Sequence, residues 1–188
     1  MDKEPRNIVL LSDGTGNSRG KHFRTNVWRV YEALDLADPK DPKTPRQFAF
    51  YDDGVGSSSF KPLALLGGAI GFGLARNVRD IYQFLCRTYR DGDRIYAFGF
   101  SRGAFTIRVL IGLIMSQGLV KYQGDEGELQ RLSKAAYRAY RYKYTPVVNY
   151  LLPLRRLRDA LIGGWARLRG REPYRREENR AAPEVEFL

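Results

Sequence analysis

Short apolar runs alternate along this chain with longer amphipathic stretches. Three runs rich in β-forming residues predict buried strands: Asn7–Ser12, Gln47–Tyr51 and Arg94–Phe100. Apolar positions three and four residues apart predict helices over Asn26–Leu36, Arg76–Arg90 and Arg102 to about Met115. Because alternating strands and helices imply right-handed crossovers, the pattern indicates an α/β fold with a parallel sheet between helices, a three-layer sandwich.

The third predicted strand leads directly into a serine between two glycines. Gly99-Phe100-Ser101-Arg102-Gly103 fits G-x-S-x-G, in which the serine occupies a strained turn between a strand and a helix. The two glycines leave room for neighbouring backbones. Ser101 is the candidate nucleophile, and the backbone N–H of Arg102 is a candidate oxyanion donor. The alternative is that Ser101 only caps the following helix; the flanking strand and helix favour the nucleophile.

A polar, glycine-rich loop follows the first strand at residues 13–17 (DGTGN). Loops at the carboxyl ends of parallel strands are where α/β sheets bind ligands. The spacing excludes a P-loop, a dinucleotide fingerprint and the aspartyl-phosphatase pattern, because Thr15, Arg19 and Leu11 stand where those motifs need other residues. Backbone N–H donors remain, and Gly14 or Thr15 is predicted to supply the second oxyanion donor.

The second strand also ends in polar residues. Asp52 and Asp53 are candidates for metal ligands or for a general base, but such residues more often cap turns, and we favour the turn. The stretch Leu63–Ala75 is apolar, rich in glycine and too short to span a bilayer. It is either a mobile wall of an acyl pocket or a tightly packed helix entry, and the sequence does not separate the two.

Composition and charge bound these interpretations. The chain has 188 residues, 43% of them hydrophobic, which is ordinary for one soluble globular domain with a core of its own. The single cysteine, Cys86, excludes an intramolecular disulfide and is predicted to be a small core residue. No signal peptide or membrane span is recognisable. The net charge of +11 indicates either affinity for anionic surfaces or arginine-rich helices in water.

Together the motifs carry a family resemblance. The loop at residues 13–17, the segment Tyr51–Gly56, the turn at residues 99–104 and the Tyr/Arg-rich helix Ala135–Tyr144 follow in the same order in one family. That family is the α/β-hydrolase domain of type VI secretion phospholipase effectors and their uncharacterised bacterial and fungal relatives. The chain resembles its N-terminal half, over about Asn7–Tyr144.

The resemblance implies an activity and a location. It implies hydrolysis of carboxylic esters, including phospholipid acyl esters, by a Ser-Asp-His triad, with no metal and no cofactor. The substrate is then an ester or phospholipid, and an anionic membrane surface, a secretion-system component or an immunity protein is an expected partner. The expected location is the cytoplasm of the producing cell, with delivery to other cells by a secretion system.

The chain departs from this family after the serine. An α/β-hydrolase orders its triad as serine, acid and histidine, yet no histidine follows Ser101, and His22 precedes it in what reads as a solvated loop. Residues Pro183–Leu188 resemble the start of the strand that leads to the acid in relatives. We therefore expect a truncated, incomplete domain that is a very weak enzyme alone. The alternative is a noncatalytic basic module that binds an anionic membrane or a protein partner.

The C-terminal third is expected to be a helical, basic, lid-like insertion. We divide the chain into a hydrolase core, residues 1–120, and an insertion, residues 121–188, that ends at the start of a further core strand. An apolar stripe keeps helical spacing beside arginines, at Leu154, Leu157, Leu161, Trp165 and Leu168. It can lie in a membrane interface, but we favour packing on the core. Tyrosines and arginines alternate over residues 137–144 without a nucleic-acid reading motif, so nucleic acid is not expected.

Overall fold

Four strands and five α-helices make up the part of the chain that the computed structural model describes, residues 5–14, 24–36, 47–54, 69–144 and 152–187. The strands are β1 (Asn7–Ser12), β2 (Gln47–Asp52), β3 (Arg94–Gly99) and β4 (Val185–Phe187). The helices are α1 (Asn26–Glu32), α2 (Ala69–Thr88), α3 (Arg102–Gln117), α4 (Glu126–Tyr144) and α5 (Leu152–Leu168). A short 3-10 helix, Arg176–Glu178, follows α5.

The strands form one parallel sheet in the order β2-β1-β3-β4. Ser12, the last residue of β1, stands beside Asp52 of β2 on one side and Gly99 of β3 on the other. The carboxyl ends of these three strands are therefore level. Such an order needs crossover connections, as the alternation of strands and helices predicts, and it sets the ends of the three strands side by side.

Alternate residues of β1 face opposite sides of the sheet. Ile8 and Leu10 belong to a core shared with α2, α3 and α4, whereas Val9 and Leu11 pack with Val27 of α1. Because successive strand side chains point in opposite directions, the sheet lies between two helical layers. This is the predicted three-layer α/β fold, and burial on both faces explains why the middle of β1, residues 8–11, is entirely apolar.

α1 is shorter than its apolar spacing suggests. It ends at Glu32 instead of Leu36, because Leu36 forms a parallel bridge with Gln47 at the start of β2. Its N-cap is Thr25, whose side chain accepts a hydrogen bond from the Trp28 N–H at 3.2 Å. A pairing with a distant strand thus outweighs the last turn of a helix.

α2 and α3 are longer than predicted. α2 begins at Ala69 instead of Arg76, so the second half of the apolar, glycine-rich stretch is helical, while residues 63–68 lie outside the described residues. α3 continues to Gln117, two residues beyond Met115. Residues 69–75 of the stretch are therefore part of a helix.

The end of the chain is attached to the core through Arg180. Its guanidinium donates to the carbonyl oxygens of Cys86 and Tyr89 at 2.8 Å each, and its backbone pairs with Leu119. Cys86 is itself buried, as predicted. These contacts bring β4 alongside β3, where Val185 pairs with Ile95 and Phe187 with Ala97.

The packing that we favoured for the apolar stripe of α5 is wrong. Its five residues, Leu154, Leu157, Leu161, Trp165 and Leu168, are between 58% and 86% exposed. α4 already covers the outer face of the core with its own apolar side, which includes Leu129 and Ala136. α5 instead contacts α4 through polar groups: the Tyr142 hydroxyl donates to Asp159 Oδ2 at 2.5 Å.

Candidate active site

The chain makes a strained turn between β3 and α3, with Ser101 at its apex. Ser101 has φ 54° and ψ −119°. Within the described residues, no other non-glycine residue has a positive φ. A residue with a side chain rarely adopts this conformation, which costs roughly 1–3 kcal/mol. Because Arg102 is the first residue of α3, the serine lies at the carboxyl end of the strand, as the motif predicts.

The two flanking glycines are required by close backbone packing. A Cβ at Gly99 would lie 2.5 Å from Ala104 Cα, and a Cβ at Gly103 would lie 2.0 Å from the carbonyl oxygen of Ser12. Real Cβ atoms do not approach backbone atoms so closely, so no side chain fits at either position. The missing side chains therefore let β3, α3 and the end of β1 converge around Ser101.

The side chain of Ser101 does not cap α3. Ser101 occupies the N-cap position, yet its side chain forms no capping hydrogen bond, and the residue is exposed. Around it, the Gly103 N–H donates to the Phe100 carbonyl at 2.9 Å, and the Phe105 N–H donates to the Ser101 carbonyl at 3.4 Å. Capping therefore does not account for a serine at this position. The N-terminal end of the 16-residue helix also presents its positive dipole end here.

The end of β1 lies directly against the serine turn. The Phe100 N–H donates to the Ser12 carbonyl at 3.1 Å. The position at Gly103 where a Cβ would stand is 2.7 Å from the Asp13 carbonyl oxygen. The loop that begins at Asp13, on a neighbouring strand, therefore starts against the turn that contains Ser101. Of the predicted oxyanion residues in that loop, Gly14 is described, and Thr15 lies outside the described residues.

Asp13 organises this loop, a role that the sequence analysis missed. Its side chain accepts hydrogen bonds from the Thr25 hydroxyl at 2.5 Å, the Tyr51 hydroxyl at 2.8 Å and the Gly14 N–H at 2.6 Å. Asp13 is only 1% exposed. It therefore joins β1, β2 and the start of α1, and it engages the Gly14 amide. An acidic residue directly after a strand whose four middle residues are all apolar was the available signal, because a buried carboxylate needs donors around it.

Asp52 forms a second polar cluster at the same edge. The Ser12 hydroxyl donates to its Oδ2 at 2.9 Å, and the Asn77 amide donates to both of its oxygens at 2.9 and 2.8 Å. Burial raises the pKa of Asp52, and these hydrogen bonds partly oppose the rise. The cluster ties two strand ends to α2. The described ranges contain no group of three or more His, Cys, Asp or Glu residues that could hold a metal ion.

These features define the class of protein. A parallel sheet between two helical layers has a strained serine turn at the carboxyl edge of a central strand. A polar loop from the neighbouring strand begins beside the serine. This is the architecture of an α/β-hydrolase-like domain. The histidine that such a site would need is not among the described residues, since His22 lies outside them.

The chain belongs to the family described as "T6SS, Phospholipase effector Tle1-like, catalytic domain", whose model matches residues 6–187. The family named from the motifs is therefore confirmed, and the match extends beyond Tyr144, where the motifs stopped. A relative in Saccharomyces cerevisiae, "Uncharacterized protein YEL023C", is 33% identical over 154 residues. That alignment covers 75% of this chain and 22% of the yeast protein, so the chain spans less than a quarter of that relative. No solved structure matches the chain.

Proposed function

We propose that this chain carries the nucleophile of a serine carboxylic-ester hydrolase of the lipase or phospholipase type. Its family is that of phospholipase effector catalytic domains, which supports a lipid ester as substrate. The observation that carries the proposal is the conformation of Ser101, which has a positive φ, an exposed position and no capping hydrogen bond. Strain of this kind persists where the surrounding structure enforces it, often at a site of chemistry.

The chemistry follows from this placement. Ser101 Oγ attacks the acyl carbonyl carbon, and the carbonyl oxygen becomes an oxyanion. The Arg102 N–H, at the positive end of the α3 dipole, supplies one donor for it. Because the Gly14 N–H already donates to Asp13, Thr15 is the preferred second donor. Collapse of the intermediate breaks the ester C–O bond, and the base returns the serine proton to the leaving oxygen, so that the alcohol departs and leaves an acyl-enzyme. Water then attacks the acyl-enzyme, which releases the carboxylic acid and restores the Ser101 hydroxyl.

A base must accept the hydroxyl proton of Ser101, because an unassisted serine is a weak nucleophile at neutral pH. We propose that the acid and the histidine of the triad follow Leu188 in a longer protein. Phe187 of β4 pairs with Ala97 of β3, two residues before the end of that strand. A residue shortly after Phe187 would thus reach the edge of the sheet that holds Ser101. The second candidate base is His22.

The partners and the location follow from the family and are part of the proposal. A type VI secretion effector would be delivered by that apparatus and would act on phospholipid in another cell, with an immunity protein as its expected inhibitor. The alternative, a noncatalytic basic module, requires that Ser101 be dispensable. The division into a core, residues 1–120, and an insertion, residues 121–188, is likewise proposed.

Ester hydrolysis by two lengths of the protein tests the proposal. The 188-residue chain and a form continued through the coding sequence after Leu188 are assayed with p-nitrophenyl esters and phospholipid, each with and without Ser101→Ala. We expect weak turnover by the short chain, and activity of the long form that falls by roughly 10⁶-fold in Ser101→Ala. Ser116→Ala is the control: its hydroxyl donates to the Leu113 carbonyl within α3, far from the turn.

Two results would contradict parts of this proposal separately. Long-form activity that survives Ser101→Ala would exclude Ser101 as the nucleophile. Strong Ser101-dependent turnover by the 188-residue chain would show that a base lies within it, and His22→Ala would then be the next variant to measure.

A further inference from the structure

α5 is attached to the protein by the side opposite to the one that its sequence suggests. The Tyr142 hydroxyl of α4 donates to Asp159 Oδ2 of α5 at 2.5 Å. Arg138 Nε of α4 forms an ion pair with Asp159 Oδ1 at 3.8 Å. Ala166 lies near that side of α5 and is buried. The outward side is the apolar stripe, made of Leu154, Leu157, Leu161, Trp165 and Leu168, with exposed fractions of 58% to 86%. An exposed apolar patch this continuous marks an interaction surface.

Positive charge borders this stripe. Arg156, Arg158 and Arg167 are exposed, and α5 contains one acidic residue, Asp159, which is already bound to α4 and to Arg158. The Arg169 guanidinium lies 3.5 Å from the centre of the Trp165 ring, so a cation and an aromatic ring form a pair at the end of the stripe. The charge presented beside the apolar side chains is therefore positive.

We propose that the stripe of α5 binds the surface of a bilayer that contains anionic phospholipid. An apolar face with a tryptophan, bordered by arginines, matches the boundary between acyl chains and negatively charged head groups. A protein partner would need acidic groups around an apolar groove, whereas an anionic bilayer offers both features over any area. The phospholipase family adds a reason for the protein to reach such a surface. The binding itself needs no catalysis and stands apart from the role of Ser101.

The helix would lie along the surface. α5 has 17 residues, which corresponds to about 25 Å of helix. None of the helices in the described part of the chain has the length and apolarity needed to cross a membrane. The polar attachment to α4 would stay on the side away from the lipid, so the helix can bind without leaving the protein.

Vesicle flotation of the 188-residue chain tests this inference. Every protein carries Ser101→Ala, so that hydrolysis of the vesicles cannot affect binding. We expect binding to vesicles of phosphatidylglycerol and phosphatidylcholine, and little binding to phosphatidylcholine alone. Leu161→Asp should lower the affinity for the anionic vesicles roughly tenfold or more. The substitution replaces an apolar contact with a negative charge that faces negatively charged lipid. The matched control is Met115→Asp, an equal charge change at a residue of α3 that is 68% exposed.

Two further variants separate charge from apolar contact. Arg167→Gln should weaken binding to the anionic vesicles roughly fivefold. Arg90→Gln, at an exposed residue before β3, should not. On vesicle addition the tryptophan emission should shift to shorter wavelength, and Trp165→Phe should abolish the shift, because Trp28 packs against Tyr31 and Tyr51.

Clear results would overturn the inference. These are no binding to the anionic vesicles, equal binding to both kinds of vesicle, or equal loss in Leu161→Asp and Met115→Asp. A change in oligomeric state in Leu161→Asp with vesicle binding intact would assign the stripe to a protein contact instead. Since Ser101 is absent throughout, none of these results bears on the hydrolase proposal, and loss of that proposal would not change them.

Discussion

α3 and α5 are helices of nearly equal length, 16 and 17 residues, with apolar residues placed in opposite environments. In α3, Ile107, Leu110 and Leu113 are completely buried between the sheet and neighbouring helices. In α5, Leu157 and Leu161 are 58% and 66% exposed. The comparison teaches that an apolar stripe shows that a helix has a contact face, but not what covers the face. α3 follows β3 directly and packs on the sheet, whereas α5 contacts polar groups of α4, the helix that covers that core.

The glycines of the two regions show the same contrast. A Cβ at Gly103, in the first turn of α3, would meet the backbone of β1 at 2.0 Å, and a Cβ at Gly163 or Gly164 of α5 would meet no atom within 4 Å. Two glycines are thus fixed by packing around the serine turn, and two in α5 have no packing reason that the structure shows.

The largest difference is expected from alanine at these glycines. Gly103→Ala should lower the free energy of unfolding by about 3 kcal/mol or more, because the backbone of β1 cannot move away from the new methyl group without breaking strand contacts. Gly163→Ala should instead stabilise α5 by about 0.5–1 kcal/mol, since alanine is the better helix former. Urea unfolding and helix content by circular dichroism measure both. Equal effects of the two substitutions would contradict the close approach of the β1 backbone to Gly103.

Two aspartates give the next largest contrast. Asp13→Ala removes an acceptor of the half-buried Thr25 hydroxyl and the buried Tyr51 hydroxyl and should cost about 3 kcal/mol, because both hydrogen bonds would be lost in a largely buried cluster. Asp159→Ala removes the acceptor of Tyr142 at a side chain that is 30% exposed, where water can replace it, and should cost less than about 1 kcal/mol. The urea midpoints of the two variants show which substitution causes the larger loss of stability. A larger loss in Asp159→Ala would mean that α5 is more firmly integrated than its exposed stripe indicates.

A smaller effect, of opposite sign, is expected at the serine. Ser101→Gly should raise the free energy of unfolding by about 1 kcal/mol, because glycine adopts a positive φ without strain. Ser101→Ala should not, since it keeps the Cβ that causes the strain. In α5, Ala160→Gly should lower helix stability by about 1 kcal/mol. If Ser101→Gly destabilises the protein as Ala160→Gly does, the turn is not strained.

The smallest expected effect is a difference in pH dependence between two carboxylates. Burial raises the pKa of Asp52, so the folded state binds the proton more tightly than the unfolded state. The stability that Asp52 contributes is therefore present at low pH and is lost as the pH rises above its ordinary value of 3.8. Relative to wild type, Asp52→Asn should gain stability over that range.

Asp159 should show the reverse. Its partial burial acts to raise its pKa, but hydrogen bonds from Tyr142 and Arg158 and the charge of Arg138 outweigh that effect and lower it. Its contribution is present above pH 3.8 and is lost as the pH falls below that value. Asp159→Asn should therefore be less stable than wild type near neutral pH and equal to it in acid. Urea unfolding measured from pH 3 to 7 gives the difference in unfolding free energy between each variant and wild type. This difference should rise with pH for Asp52→Asn and fall with pH for Asp159→Asn, and changes in the same direction would contradict these assignments.

Local chemistry made most of the fold and part of the site predictable. A continuous apolar run such as residues 8–11 indicates burial on both faces, and a serine between Gly99 and Gly103 indicates a tight strand-to-helix turn. Asp13 could not be assigned its role, because its donors come from Thr25 and Tyr51, which only the fold brings near. The Gly14 amide is likewise engaged by a neighbouring side chain whose orientation the sequence does not give.

The sequence by itself determined the alternation of strands and helices, the parallel sheet, the family and the turn at Ser101. Each of these depends on residues close together along the chain, where apolar spacing and glycine geometry act directly. The tertiary structure decided where α1 ends, which groups surround Asp13 and which side of α5 is exposed. These depend on partners elsewhere in the sequence: α4 covers the core, and its Tyr142 and Arg138 contact Asp159. An amphipathic pattern fixes only that two sides differ; the free energy of the available contacts decides which side turns inward.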